Sequence, residues 1–366
     1  MFPSGAGNAS GGGTRIIRLF STVVDTVTVT EIESGRANWL TWLAAARAWL
    51  FLAILFAVFE IWARFVYHTT FLFNPFNVQS IAVFAVSPLL LALGQTLVII
   101  SGGIDLSVGF TMGFAAVVFA HCLNLTAGFL GPAGSFVFGV LVALLASVLP
   151  GLINGLLIAK LKVPPFIGTL GMYGVARGIA FLLAGGTTVP VSNNILAILG
   201  NGSIFGFPII VLVTIIIVAV MHFVLSQSRY GQHVYAIGGN RQASLRAGIN
   251  VARNTIVLYI LSAICAAIGG ILYTARFSAG AAQAGEPLLL DSIAAVVIGG
   301  ASLFGGSGTV VGTIIGALII AVIQYGLVFV NVEPFWQFVA VGVVIVISVL
   351  VDQSQRRVAG GKVDEE

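Results

Sequence analysis

The sequence predicts an all-α, polytopic inner-membrane protein with about ten transmembrane helices. Three observations predict this fold class. Hydrophobic residues make up 58% of the chain and charged residues only 8%, and apolar runs of helical length recur from one end to the other. Soluble domains carry about 25% charged residues, so this composition indicates lipid as the main solvent. A span needs roughly 20 apolar residues, which leaves room in 366 residues for little besides spans and short loops.

The apolar runs define ten candidate spans, and the connections between them are short except at 185–207 and 227–254. We therefore predict a cytoplasmic, glycine-rich N-terminal tail at 1–45, a membrane domain at 46–352 and a cytoplasmic C-terminal tail at 353–366. The candidate spans cover residues 46–67, 78–100, 107–125, 134–159, 165–184, 208–226, 255–275, 288–303, 309–330 and 335–352.

The basic residues predict that both termini are cytoplasmic, because Lys and Arg are retained on that side of a membrane. With the N-terminus inside, thirteen of the 16 basic residues fall in cytoplasmic segments. The reverse orientation would export them. The net charge of +4 lies mainly in loops. We interpret it as a topology signal and predict no nucleic-acid partner.

Two glycine-broken segments interrupt the apolar pattern, "SGGIDLSVG" at 101–109 and "GGASLFGGSGTVVG" at 299–312. Paired breaks of this kind, in the two halves of a membrane chain, are typical of a transport pathway. Polar and glycine residues at or near the breaks are the predicted pathway residues. They are Gln95, Ser101, Gly102, Gly103, Asp105, Ser107, Gly299, Gly300 and Ser302.

Asp105 allows two interpretations. An acid within a membrane must face protein or water, because a carboxylate facing lipid costs several kcal/mol. The sequence "DLSVGF" favours Asp105 as a cap at the start of the next helix. The alternative is a proton or cation site. Gln95 is equally open, either as an interhelical hydrogen-bonding group or as a polar group on a solute path.

Two further charged features lie in spans. Glu60 and Arg64 are four residues apart, so they share a helix face and are predicted to pair. Arg177 has no acid nearby in sequence. It is predicted to pair with a carboxylate on another helix or to extend towards an interface.

The cytoplasmic loop 227–254 contains four arginines and no acid. Within it, "NRQASLRAGI" predicts a short helix between glycines, with Ala and Leu on one side and Arg241 and Arg246 on the other. Such a helix suits either an interfacial segment on anionic lipid or a docking element for a cytoplasmic partner. Its compact form favours docking.

No catalytic or metal-binding set is present in the sequence, and we predict no enzyme activity, metal or cofactor. The four histidines are scattered without metal-ligand spacing. No G-x-x-x-x-G-K-[ST] motif occurs, so the chain itself is not expected to bind ATP in that way. Cys122 and Cys265 lie in apolar runs and are predicted to be packing residues.

Several long segments resemble the permease subunits of ribose-type ATP-binding-cassette (ABC) sugar importers. They are "LALGQTLVIISGGIDLSVG", "GLINGLLIAKLKVPPFIGTLG", "YAIGGNRQASLRAGINV" and "LDSIAAVVIGGASLFGG". The resemblance covers about residues 75–350. It implies that the third segment is a coupling loop that contacts an ATPase. The residues carried over to that role are Gly239, Asn240, Arg241, Ala243, Leu245, Arg246, Gly248 and Ile249.

The resemblance also implies an assembly. Two copies of the chain pair in the bacterial inner membrane, ATP-binding-cassette ATPase subunits dock beneath them, and a periplasmic sugar-binding protein delivers a monosaccharide. Two alternatives remain. The same assembly could import a nucleoside or another small polar solute, or the chain could act alone as a proton-coupled carrier that uses Asp105.

Overall fold

A computed structural model describes residues 48–333 and 335–360, so the predicted tail at 1–45 lies outside the described residues. The chain is almost entirely helical. The helices are α1 (Ala48–Val66), α2 (Pro75–Ile100), α3 (Val108–Ala159), α4 (Pro165–Ala184), α5 (Asn194–Asn201), α6 (Ile209–Ser226), α7 (Arg229–Gly239), α8 (Arg241–Arg246), α9 (Val251–Phe277), α10 (Leu288–Ile298), α11 (Val310–Phe329) and α12 (Phe335–Gly360).

Seven of the described helices are long and apolar enough to cross a membrane, namely α1, α2, α3, α4, α6, α9 and α11. Shorter apolar stretches occur in α10 and at Phe335–Ile347 of α12. These findings confirm a helical, polytopic membrane protein. The total of about ten spans and the side on which the termini lie stay predictions at this point.

Helix α3 contains two antiparallel limbs rather than one rod of 52 residues. Gly131 breaks it with a φ of 65° and a ψ of 179°, a conformation that glycine adopts without steric cost. The rings of Phe119 and Phe136 lie 5.9 Å apart across the break. A straight helix would separate these residues by about 25 Å. The limbs, 108–130 and 132–159, correspond to two separately predicted spans.

The segment between α4 and α6, predicted as a long connection, carries α5 and short strands. Strand β1 (Val189–Pro190) pairs antiparallel with β4 (Ala279–Gly280), which follows α9. Strands β2 (Ser203–Ile204) and β3 (Phe207–Pro208) form a small hairpin. Asn193 starts α5 by accepting hydrogen bonds from the amides of Ile195 and Leu196. These contacts hold the connection against the end of α9.

Helices α2, α9 and α11 form the centre of the membrane domain, and α1, α4 and α6 expose most of their surface. Small residues allow the closest packing, which is the usual way in which membrane helices associate. The second limb of α3 lies against α9 at Gly151 and Gly155. A Cβ at Gly151 would lie 2.6 Å from the Tyr259 carbonyl oxygen, and one at Gly155 would lie 2.7 Å from the Ile256 Cα.

We predict that Gly155→Leu destabilises the protein and that Gly171→Leu does not. At Gly155 the new side chain meets the α9 backbone, and such overpacking costs about 1–3 kcal/mol. Gly171 lies in the interior of α4, where an added Cβ meets nothing within 4 Å. Leucine there gains helix propensity of up to about 1 kcal/mol. Thermal unfolding of the detergent-purified variants measures both effects, and equal midpoints would contradict the packing assigned to α3 and α9.

Candidate functional site

The break at 101–107 ends α2 abruptly and redirects the chain into α3. Gly102 adopts a φ of +83°, which lets its amide donate to the Ile99 carbonyl oxygen at 2.9 Å. The Gly103 amide donates to the Val98 carbonyl oxygen, also at 2.9 Å. These bonds satisfy carbonyl groups that the end of a helix would otherwise leave unpaired. The break is therefore a defined turn.

Asp105 is the centre of a buried polar cluster. Its Oδ1 accepts from the backbone amide of Ser107 at 3.0 Å and from the Ser107 hydroxyl at 2.6 Å. Its Oδ2 accepts from the Ser262 hydroxyl of α9 at 2.9 Å. The side chain of Gln95 bonds the backbone of Asp105, and Asn154 Nδ2 donates to Ser107 Oγ at 2.9 Å. The cluster thus joins α2, both limbs of α3, and α9.

The cluster favours a structural role over an open solute path. Gln95, Asp105 and Ser107 are each at most 2% exposed. Asp105 also differs from a simple helix cap, because the N-cap position of α3 is Ser107 and the carboxylate bonds the amide of that residue. Gln95 bonds the backbone of Asp105 in the turn that follows its own helix, and its two interpretations stay predictions.

The six remaining predicted pathway residues lie in the two breaks and differ in their exposure to solvent. Gly102 and Gly300 are exposed, and Ser101 and Gly299 are partly exposed. Gly103 is buried against the Tyr259 hydroxyl, and Ser302 is buried within its own loop. The structure therefore does not bring all nine residues onto one surface, and their pathway role stays a prediction.

Three glycine segments that are far apart in sequence meet at one point, which we call the glycine junction (residues 100–102, 238 and 305–306). The Gly306 amide donates to the Ile100 carbonyl oxygen at 2.8 Å. Gly238 of α7 is packed against both groups, and a Cβ there would collide with the Ile100 carbonyl oxygen. The junction therefore joins both glycine breaks to the loop 227–254.

Tyr235 strengthens the contact between α7 and the second break. Its hydroxyl donates to the Gly308 carbonyl oxygen at 2.7 Å. Partial burial raises the pKa of this phenol above its ordinary value, so it stays a neutral donor at physiological pH. Helix α7 is consequently held to the breaks by a side-chain hydrogen bond as well as by backbone packing.

The predicted short helix is present as α8, and asparagine caps fix its position. Asn240 ends α7 and begins α8, where its side chain accepts from the Ala243 amide at 2.9 Å. Asn250 then begins α9 by accepting from the Arg253 amide at 2.9 Å. Between these caps Gly248 turns the chain with a φ of +81°. The loop is therefore a rigid helix–turn–helix element.

Helix α8 presents its surface away from the rest of the described chain. Of its residues only Ser244 is buried, and the Leu245 side chain is 49% exposed. Most of the predicted coupling residues are likewise exposed: Gly239, Asn240, Arg241, Ala243, Leu245, Arg246 and Gly248, with Ile249 partly buried. Their role in contacting an ATPase stays a prediction.

The two other charged features resolve differently. Glu60 and Arg64 form the predicted pair, with 2.6 Å between Glu60 Oε1 and Arg64 Nε. Glu60 also accepts from the amides of Phe71 and Leu72, which pins the turn before α2. Arg177 lies over the ring of Phe110 with its guanidinium carbon 5.4 Å from the centroid. This cation–π contact is an aromatic partner that the sequence did not predict, and extension of Arg177 towards an interface stays a prediction.

The sequence reasoning missed Asn154, Ser262, Asp291 and Gln324. Asn154 and Ser262 complete the Asp105 cluster, and Asp291 accepts from Gln324 at 2.7 Å. Each is a polar side chain within an apolar run, which was the available signal. Within the part of the chain that the structure describes, no three His, Cys, Asp or Glu side chains cluster as metal ligands would.

Helices long enough to span a membrane, with two glycine breaks tied to a helical loop, are the build expected of a transport-type membrane protein. Residues 77–349 match the family described as the permease component of branched-chain amino acid transport systems, and the chain belongs to this family.

Named relatives cover most of the chain. It is 38% identical to the fructose import permease protein of Rhizobium meliloti, over 72% of this chain and 74% of that one. It is 36% identical to the ribose import permease protein of Bacillus subtilis, over 73% and 81% respectively. It is 33% identical to the ribose import permease protein of Escherichia coli K12, over 89% and 99%. No solved structure matches the chain significantly.

We predict that Asp105→Leu lowers the unfolding temperature and that Asp105→Asn lowers it less. Leucine leaves the Ser107 amide and two buried hydroxyls without an acceptor, at a cost of about 1–3 kcal/mol for each unsatisfied group. Asparagine keeps one carbonyl oxygen as an acceptor. Thermal unfolding in detergent measures the difference. An unchanged midpoint in Asp105→Leu would show that the cluster does not stabilise the fold.

Proposed function

We propose that the chain is the membrane permease subunit of an ATP-binding-cassette importer for a monosaccharide. It would form the translocation path, a periplasmic binding protein would deliver the sugar, and ATP hydrolysis would occur on separate subunits. One observation carries this proposal. The exposed α8 is attached through α7 to a junction that holds both glycine breaks, so a partner bound at α8 could move both.

The relatives support the nature of the cargo and of the partners. Their names describe ribose and fructose import permeases, whereas the family description refers to branched-chain amino acids. The named relatives match this chain at 33–38% identity over 72–89% of its length, which favours a sugar for this chain. We propose no catalytic role for this chain, because ATP hydrolysis is proposed to occur on the ATPase subunits.

We propose ten spans with both termini cytoplasmic and residence in the bacterial inner membrane. The seven long helices become ten spans when α3 counts as two limbs and α10 and α12 are added. This topology puts 101–107, α7 and 299–308 on the cytoplasmic side. The contacts of the glycine junction support it, because they require these three segments to lie on one side.

The proposed mechanism is alternation driven from the cytoplasm. Closure of the ATPase subunits displaces α8, and Asn240 passes the displacement directly to α7 because no flexible linker intervenes. Gly238 then shifts the end of α2 together with the loop between α10 and α11. Two copies of the chain would enclose the path, which opens to one side at a time.

A stand-alone proton carrier that uses Asp105 is not favoured. The carboxylate is engaged by three donors and buried in a cluster that joins helices, which suits a structural group. That alternative also leaves the exposed α8 without a role.

The first test is ATP-driven sugar uptake by vesicles that contain the chain, its ATPase and its binding protein. We expect Arg246→Glu with Gly248→Trp to abolish both uptake and co-purification of the ATPase, because both positions are exposed at α8 or its turn. Lys160→Glu reverses a charge in another cytoplasmic turn and is the control. Full uptake by the double variant, or solute movement without the ATPase, would contradict the proposal.

The second test separates docking from transmission. We expect Gly238→Ala to keep ATPase co-purification and to lose most ATP-driven uptake, because the methyl group forces α7 away from the Ile100 carbonyl oxygen. Ala236→Ser adds one non-hydrogen atom on the exposed side of the same helix and should transport normally. Normal uptake by Gly238→Ala would show that the junction does not transmit the motion.

A further inference from the structure

A large cavity lies at the opposite end of α9 from the glycine junction. It has a volume of about 810 Å³ and opens among α2, the start of α6, the end of α9, the segment after it, and α10 to α12. Sites for small molecules measure roughly 300–1,000 Å³, so the cavity has room for a sugar. In the proposed topology it faces the periplasm.

The lining combines apolar walls with converging polar groups, which is typical of ligand sites. Rings of Phe84, Phe277 and Phe338 contribute to the walls. The polar groups are carboxylates, carboxamides and a phenol. They belong to Tyr273, Gln283, Glu286, Asp291, Gln324 and Gln337, and Ser87 and Arg276 also line the cavity.

Asp291 is the most unusual of these groups. It is 5% exposed and lies in the apolar sequence "LLLDSIAAVVI" of α10. Burying an acid in such a segment is costly, so its presence there indicates a function. Gln324 of α11 donates to its Oδ2 at 2.7 Å. Among the described residues, Gln324 alone is found donating to this carboxylate. Asp291 therefore keeps acceptor capacity for a ligand.

The chemistry of the lining selects a neutral polyhydroxylated ligand. Hydroxyl groups donate to carboxylates and both donate to and accept from carboxamides, and the cavity offers both kinds of partner. Arg276 also lines the cavity, but its guanidinium donates to Asn201 at 2.8 Å. Two carboxylates and one guanidinium leave the lining negative, which opposes sugar phosphates and other anions.

We propose that this cavity is a monosaccharide-binding site contained within a single chain, in which Asp291 and Gln324 contact the sugar hydroxyls. The proposal rests on the proposed function for the identity of the cargo. It places a first sugar site inside each permease subunit, in addition to the path between two copies. A sugar released by the binding protein would enter it before translocation.

The test measures whether sugar protects a thiol in the cavity. The full-length chain with Cys122→Ala and Cys265→Ala is placed in lipid nanodiscs, and Gln283→Cys introduces a thiol at an exposed position of the lining. A maleimide then labels this thiol with and without D-ribose, D-fructose or D-galactose. Ser203→Cys, an exposed position outside the lining, is the control.

We expect one of these sugars to slow labelling of the Gln283→Cys thiol about tenfold at ten times its half-saturating concentration. Labelling of the Ser203→Cys thiol should not change. Adding Gln324→Leu or Asp291→Asn should raise the half-saturating concentration at least several-fold, and an unchanged thermal midpoint shows that each variant is folded.

Other outcomes overturn the proposal. The proposal fails if no sugar slows labelling of the Gln283→Cys thiol, or if L-leucine alone slows it. It also fails if labelling is slow without sugar and becomes fast when lipid is removed, because lipid then covers the cavity. Equal protection with Gln324→Leu and Asp291→Asn would remove these residues from the site. Failure of the proposed function is distinct, because the complete transporter would then import none of the three sugars whatever the labelling shows.

Discussion

The hydrogen bond between the Gly306 amide and the Ile100 carbonyl oxygen is the contact on which the other parts of the mechanism depend. The end of a helix leaves backbone groups that need partners from outside that helix. Here one break supplies the donor and the other supplies the acceptor. A shift of one break alone would break this bond, so in the proposed mechanism the two breaks move together.

The Asp105 cluster provides a second connection close to the junction. It binds the turn after α2 to α9 through Ser262 and to the second limb of α3 through Asn154. Gly151 and Gly155 extend the same contact along α9 by close backbone packing. The result is a stiff block of α2, α3 and α9. In the proposed mechanism, motion applied at α7 is therefore passed on rather than absorbed by loose side chains.

Much of the fold could be predicted from the sequence because span length and helix-breaking residues are local properties. The predicted span 165–184 coincides with α4, and 208–226 differs from α6 by one residue. The position of α8 follows from its glycines and its asparagine cap. The two breaks were recognised for the same reason, since a run of glycine and serine within apolar sequence is visible without any knowledge of tertiary structure.

The parts that were not predicted depend on contacts between distant residues. Ser262 bonds Asp105 across 157 positions, and nothing in the sequence near either residue indicates the other. For the same reason the sequence left two interpretations open for Gln95 and for Asp105, and it did not indicate that packing encloses both side chains. Asp291 was missed because a single acid does not change the apolar character of the short run around it. Its importance becomes visible only in the structure, where Gln324 donates to its carboxylate.

The contrast between α8 and Gly238 has an evolutionary consequence. The surface of α8 is exposed at every position except Ser244, whereas Gly238 accepts no additional atom. With the docking role proposed for α8, substitutions that change which ATPase is recognised would accumulate there without disturbing the junction behind it. On that proposal, two permeases of this build can use different ATPases while each keeps the same internal contacts.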